Sequence, residues 1–302
     1  MTYSIVARDS ATGHLGVAAQ SCYFALGAVL PWARAGVGAV ATQSMVEPGY
    51  GPRCLELLAG GMGAVDALAL VRAADEDREV RQVGVVDASG TVASFTGARC
   101  IDHVGHIAGD GYSAQANMMA GPGVCEAMAQ AFESTPGALA TRLVAALYAA
   151  EGAGGDARGQ MSAALLVVDG APHDHPWQGV LTDVRVDHHC DPLGELSRLA
   201  RVAEAYHLCD VAEEALVAGD VDRALRGSAA GLALLPGEGN LALSHIGALI
   251  ALGRVDEAAA EVSTLVTERP GWVGVLRALV DRGFVTLPEG VSLDLLLAGA
   301  PR

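Results

Sequence analysis

Thr2 is the residue whose type and position can do chemistry with the least help. A small residue after Met1 permits removal of the initiator methionine, which would leave a threonine carrying its hydroxyl and a free α-amine together. An α-amine titrates near pH ~7.7–8.0, close enough to neutrality to take the hydroxyl proton, and a threonine activated by its own amine is a recognised nucleophile. The plain alternative is a threonine that starts a β-strand, which suits its branched side chain. All 19 basic residues are arginine. That excludes a Walker phosphate loop, a Schiff base, a Ser-Lys dyad and a lysine beside the threonine. An amine-activated nucleophile here has to rely on its own amine and on Arg, Asp and amide neighbours.

A threonine nucleophile leaves two jobs, stabilising the oxyanion and steadying the amine while its proton load changes. The backbone N–H groups of Thr42-Gln43-Ser44 suit the first, with the Gln43 side-chain amide as a further donor. Asp156 and Arg158 suit the second by setting the field around the amine. They equally suit a structural ion pair that ties the Gly154-Gly155 loop to the strand at Ser162. Gln115 and Asn117 alternate on an extended segment, so both can offer amide groups to an amide or ureido substrate, or else satisfy their own loop. Ser44 is expected against the substrate. So is Tyr50, in the stretch Glu47-Pro48-Gly49-Tyr50-Gly51-Pro52, where a loop over the site is expected.

Other patterns carry less. Gly36-Val37-Gly38-Ala39-Val40-Ala41 matches a dinucleotide string, but its glycines begin a β-type run and do not open a helix. His103 with His106, His173 with His175, and His188-His189-Cys190 resemble metal spacings without supplying a full ligand set. There is no G-x-S-x-G elbow. No cofactor and no metal are expected.

The elements that must position these residues alternate between two periods. Tyr3–Arg8 and Leu15–Gln20 read as a hairpin around Asp9-Ser10-Ala11-Thr12-Gly13-His14, and Val37–Gln43 as a third strand. Helical spacing then takes over at Gly51–Ala59 and Ala64–Ala74, with Leu55, Leu58, Leu68 and Val71 on buried faces. A second hairpin runs through Gln82–Asp87 and Thr91–Thr96. Helices follow at Gly123–Phe132 and Pro136–Glu151, the latter opening on a Thr135-Pro136 cap, and strands at Ser162–Val168 and Thr182–Val186. Strands and helix pairs in this order predict an α+β sandwich of two sheets faced by helical layers.

Beyond Asp191-Pro192-Leu193 the composition turns helical. Gly219-Asp220-Val221-Asp222-Arg223-Ala224 recurs as Gly253-Arg254-Val255-Asp256-Glu257-Ala258 at an interval of 34 residues, and Pro236-Gly237 recurs as Pro270-Gly271 at the same interval. A 34-residue period is tetratricopeptide-like, a helical repeat whose stacked pairs often hold a partner. Two domains are expected, 1–193 and 197–302.

With 302 residues, 51% of them hydrophobic, the chain can bury a full core without staples. Its net charge of −16, acidic in both halves and without a basic run, argues against nucleic acid or an anionic membrane as partner. Six scattered cysteines suit free thiols in a reducing compartment. Met1 to Asp9 lack the pattern of a signal peptide, and no apolar run is long enough to span a bilayer, so a cytoplasmic location is expected.

Five segments carry a family resemblance: Thr2 to Asp9, Gly16-Val17-Ala18-Ala19-Gln20-Ser21, Ala35 to Gln43, Gly111-Tyr112-Ser113-Ala114-Gln115-Ala116-Asn117 and Gly155 to Leu165. Together, from Thr2 to about Leu196, they resemble the bacterial family catalogued as domain of unknown function 1028, regarded as having the fold of the N-terminal-nucleophile hydrolases. The resemblance implies a four-layer αββα sandwich with the amino terminus at the active-site end of a central strand. The expectation is then a hydrolase of a small amide, ureido or peptide-like bond acting through Thr2. The rival is a non-catalytic scaffold whose helical repeats recruit a protein partner or a second copy of the chain.

Overall fold

The computed structural model describes residues 2–298, apart from the Pro176 side chain. It is a mixed α+β protein with two antiparallel sheets and, among the described residues, ten α-helices. The chain divides into two compact units, Met1–Ala200 and Arg201–Arg302.

The first unit opens with β1 (Thr2–Arg8), β2 (Leu15–Ser21), β3 (Pro31–Arg34) and β4 (Gly38–Ser44). Helices α1 (Tyr50–Ala59) and α2 (Ala64–Ala73) lead to β5 (Arg81–Asp87), β6 (Val92–Thr96), β7 (Gly105–Gly109) and β8 (Tyr112–Asn117). Next come α3 (Val124–Ser134), α4 (Leu139–Gly152), β9 (Ser162–Val168) and β10 (Val180–Val186). One sheet has the order β10-β9-β2-β1-β8-β7 and the other β3-β4-β5-β6. β1 is therefore an interior strand, flanked by β2 and β8, so its first residue is held from both sides.

Strict alternation sends the two faces of each sheet into different cores. Tyr3, Ile5 and Ala7 of β1 turn outward to pack with Met128, Phe132 and Leu147 of α3 and α4. On the other sheet Val40, Val83 and Val85 pack with Cys54, Leu58 and Leu68 of α1 and α2. A third core lies between the sheets, where Val6, Val17 and Ala19 meet Ala39, Ala41 and Val86.

Three details depart from the sequence reading. β3 and β7 form where no strand was expected, because Pro31 and a Gly-bounded Gly-His-Ile-Ala-Gly run give little strand signal. The expected cap at Thr135-Pro136 does not start a helix. Gly137 has φ 107°, outside the helical region, so α4 begins at Leu139, and Thr135 instead closes α3.

The second unit is helical. α5 (Pro192–Val217) runs across the boundary, followed by α6 (Val221–Leu234), α7 (Gly239–Ala251), α8 (Val255–Glu268), α9 (Trp272–Asp281) and α10 (Leu293–Leu297). Turns at Gly219 and Gly253, with φ 82° and 72°, precede α6 and α8, which begin at equivalent points of the 34-residue interval. Ile246, Leu249, Val262, Leu265 and Leu276 form its main core. Among the described residues no helix is long and apolar enough to cross a membrane.

Candidate active site

Thr2 heads β1, and its inward parity places the side chain between the sheets, 6% exposed. Its hydroxyl donates to Ser21 Oγ at 3.1 Å, across the register pair Thr2–Ser21 of β1 and β2. Both residues line a cavity of about 310 Å3. Thr42, Gln43 and Ser44, at the end of β4, form a further part of its lining. The rest is mainly apolar: Leu26, Val29, Leu30, Met45 and Val46, with Tyr23.

The Thr2 backbone is clamped by two side-chain amides. Its carbonyl oxygen accepts from Gln43 Nε2 at 3.2 Å and from Asn117 Nδ2 at 3.4 Å. Both amides are organised by Gln82, whose Oε1 accepts from Gln43 Nε2 at 2.7 Å and from Asn117 Nδ2 at 2.9 Å. Ser4 Oγ donates to Gln43 Oε1 at 2.7 Å, and Gln115 Nε2 donates to Ser4 Oγ and to Ala41 O, each at 3.2 Å. The polar half of the inter-sheet space is thus a network of buried amides; Gln115 Oε1 is left without a partner among the described residues, and the satisfied members fix the geometry.

Gln115 and Asn117 do share one face, but that face is buried between the sheets, and neither side chain lines the cavity. Their amides hold protein groups rather than facing an open cleft. Gln43 likewise directs its amide at Thr2 O, Gln82 and Gln115 O.

The backbone at Ser44 offers a different donor. Thr42 N–H donates to Leu30 O at 3.2 Å on the β3 edge of β4, while Arg81 O, opposite Ser44, accepts from Gly97 at 2.9 Å on the β6 side. Ladder alternation therefore projects the Ser44 N–H from the β3 edge, beyond Pro31 where β3 begins, on the side where Val29 and Leu30 line the cavity. Ser44 also has φ 73°, a left-handed conformation that costs a non-glycine residue about 1–3 kcal/mol. Two more of the four non-glycine residues with positive φ among the described residues flank the same strand ends: Met118 follows Asn117, and Ala25 lies in the loop after β2.

Asp156 and Arg158 come together as an ion pair, with Arg158 Nη2 3.0 Å from Asp156 Oδ2. The Asp156 carboxylate, fully buried, also accepts from Arg158 N at 2.9 Å and from Cys22 N at 3.1 Å. It thereby ties the loop before β9 to the residue after Ser21. Tyr3, next to Thr2, donates its hydroxyl to Glu151 Oε2 at 2.8 Å. Burial, reinforced by the Glu151 carboxylate, pushes its phenol far above the ordinary value, so it stays protonated.

Tyr50 is not on a loop over the site. It is the first residue of α1, fully buried in the core that α1 and α2 form with their sheet, because the Gly49 to Pro52 stretch turns straight into helix. Its hydroxyl donates to Asp75 Oδ2 at 3.0 Å. Arg81 Nε donates to the same oxygen at 2.9 Å, and Arg81 Nη1 to Met45 O at 2.7 Å. Tyr50 thus supports the cavity wall from behind.

Sequence reasoning missed Ser21, Gln82, Asp75 and Arg81. Ser21 ends one of the family-like segments, and its signal was its parity with Thr2 across the first hairpin. The others had no local signal. Among the described residues no group of three or more His, Cys, Asp or Glu side chains is placed to hold a metal. Met1, whose removal was expected, lies outside the described residues.

The fold and the cavity at the head of β1 define a mixed α+β protein built on two antiparallel sheets. The chain belongs to the family of unknown function DUF1028, whose model matches residues 2–196. It is similar to the crystal structure of a Silicibacter pomeroyi protein of that family, with 33% identity over 67% of this chain and 85% of that one and a TM-score of 0.60. No curated protein matches.

Proposed function

We propose that the chain is an N-terminal-nucleophile hydrolase of a small amide, ureido or peptide-like bond, with Thr2 as nucleophile. The observation that carries this is Thr2 itself: first residue of an interior strand, clamped through its carbonyl, with its side chain on a cavity. The packing of two helix pairs on two facing sheets supports a four-layer αββα sandwich of that hydrolase kind.

Once Met1 is lost, the Thr2 amine takes the Oγ1 proton as Oγ1 attacks the substrate carbonyl carbon. The negative oxygen that forms is held by backbone donors at the end of β4, Ser44 N–H foremost. Collapse breaks the C–N bond. The leaving nitrogen takes the proton from the Thr2 ammonium, and an ester to Oγ1 remains. Water, deprotonated by the same amine, then releases the carboxylic acid and restores the hydroxyl. No cofactor enters these steps. Ser21 orients the hydroxyl, and the Asp156–Arg158 pair positions the strand ends around the amine.

Intact-mass measurement and an amide-hydrolysis screen test the proposal. Loss of Met1 and turnover abolished by Thr2→Ala, with an unchanged circular dichroism spectrum, are expected. Quantitative retention of Met1, or full activity of Thr2→Ala, overturns it.

The repeated helix pairs of the second unit favour a second reading, a scaffold that binds a protein partner or a second copy of the chain through helices α6 to α9. A full chain with no Thr2-dependent turnover, whose self-association or partner binding is lost on substituting exposed residues of these helices, would favour it. Location in the cytoplasm and the absence of nucleic-acid or membrane partners belong to both readings.

A further inference from the structure

The cavity at Thr2 also has a chemical character that selects its occupant. Among the described residues that line it, none has a charged side chain. Leu26 and Leu30 are buried, and Val29 and Val46 are half-buried. Tyr23 and Met45 on the lining, and Phe24 beside Tyr23 in sequence, are 57%, 53% and 64% exposed. These exposed side chains continue the apolar surface of the lining out to its mouth. The nearby Asp156–Arg158 pair does not contribute to the lining.

The backbone that carries the Met45 wall is held by hydrogen bonds. Met45 N donates to Val80 O at 3.1 Å and Met45 O accepts from Arg81 at 2.7 Å. Thr42 Oγ1 donates to Glu47 O at 3.2 Å, fixing the backbone just beyond Val46. An apolar wall on a held backbone discriminates by its inability to solvate charge. Its volume, about 310 Å3, lies at the small end of the range for small-molecule sites, roughly 300–1,000 Å3.

We infer that this cavity is an acyl pocket for an uncharged, apolar acyl group of a small amide, the size of a short branched alkyl chain or a single aromatic ring. The inference rests on Thr2 being the nucleophile. The acyl part is the part bonded to Oγ1 between the two half-reactions, so it must be housed where Thr2 meets the cavity. An anionic or cationic acyl chain would lose its hydration against Leu26, Val29, Leu30 and Val46 and find no charged side chain on the lining, where the one titratable group is the Thr2 amine that must be neutral to act as base.

The test uses the full-length protein and two readouts. In the first, 4-nitroanilides of hexanoic, phenylacetic and 4-methylpentanoic acid are compared with those of succinic acid, as its half-amide, and of 4-guanidinobutyric acid. The three apolar acyl groups are expected to exceed both charged ones in kcat/KM by at least about tenfold. Met45→Arg, at an exposed position, should lower that ratio for the succinyl compound by at least about tenfold. In the second, calorimetric binding of phenylacetamide is compared with that of succinamate, which needs no turnover. Tighter binding of phenylacetamide with no hydrolysis of any anilide leaves an apolar amide-binding pocket standing but overturns the nucleophile reading, and with it the acyl assignment. Equal or preferred binding or turnover of the charged compounds overturns the pocket, as does a Met45→Arg variant with unchanged selectivity.

Discussion

Gln43 and Gln82 are opposite one another in the β4–β5 register, and their side chains repeat the pairing with a 2.7 Å hydrogen bond from Gln43 Nε2 to Gln82 Oε1. Gln82 Nε2 in turn donates to Thr96 Oγ1, Gly105 O and Ala116 O, each at 3.0 Å. One side chain from the four-stranded sheet therefore reaches backbone and side-chain groups of the other sheet and holds both amides that clamp Thr2. A buried polar network of this kind makes the position of Thr2 depend on residues 41, 80 and 115 places away in sequence.

Replacing Gln82 by Leu leaves Asn117 Nδ2 and the carbonyls of Gly105 and Ala116 short of a partner. An unsatisfied buried group costs about 1–3 kcal/mol, so Gln82→Leu should destabilise the first unit by about 3 kcal/mol. Urea unfolding followed by far-ultraviolet circular dichroism measures it, and a midpoint equal to wild type would contradict the network's role.

Asp156→Asn removes the charge opposite Arg158 while keeping one acceptor for Cys22 N–H. Breaking a fully buried pair costs about 3–5 kcal/mol, but Arg158 keeps 35% of its side chain in water, and solvent there reduces the penalty. A loss of about 2 kcal/mol is expected. Activity should fall further than stability if the pair also orients the strand ends around the amine, and Asp156→Glu should not restore it. Comparable losses in both quantities would reduce the pair to a structural tie.

The hydrogen bond from Arg81, joined by those from Asp77 N–H and Tyr50, holds the Asp75 carboxyl below the ordinary carboxylate range, against the opposing effect of burial. A folded-state pKa lower than that of the unfolded chain, about 3.9, means that Asp75 binds its proton more readily when unfolded. Its contribution is complete above the unfolded value and disappears as pH falls through the folded one. Asp75→Asn should flatten the decline in stability below pH ~4 relative to wild type, in melts taken from pH 6 downward. Parallel curves for the two proteins would remove Asp75 from the acid limb.

Ser44→Gly relieves the left-handed strain at φ 73° but frees the unfolded chain as well. The net expectation is a gain of about 1 kcal/mol or less, a rise of at most ~4 °C in melting temperature for a unit of this size. A variant that melts lower than wild type would show that the serine side chain contributes more than its backbone costs.

Much of this architecture is readable from residue spacing. The β-type run Tyr3-Ser4-Ile5-Val6-Ala7 announces β1, and Leu55, Leu58, Leu68 and Val71 are on the buried helix faces that their spacing indicates. Thr2 stands out because its hydroxyl and its potential amine belong to one residue. Asp156 and Arg158 read as a pair because they are two residues apart, a distance local geometry can bridge. Tyr50 is misplaced by the sequence reading because Gly49 and Pro52 read as loop formers, whereas Pro52 in fact occupies the first turn of α1, where a missing N–H costs nothing.

The sequence by itself determined the local terms: two periodicities, the turns that separate them, a 34-residue helical repeat, and a threonine at the head of a strand. Only the tertiary structure decided which face of β8 met the other sheet, so that Gln115 and Asn117 became struts of a buried network. It alone brought Leu26, Val29, Leu30, Met45 and Val46 around Thr2 and linked Tyr50 through Asp75 and Arg81 to the cavity wall. The physical reason is range. Periodicity and capping act between residues a few places apart, whereas the cavity and its amide clamp are made by strands that meet only when two sheets close over a common core.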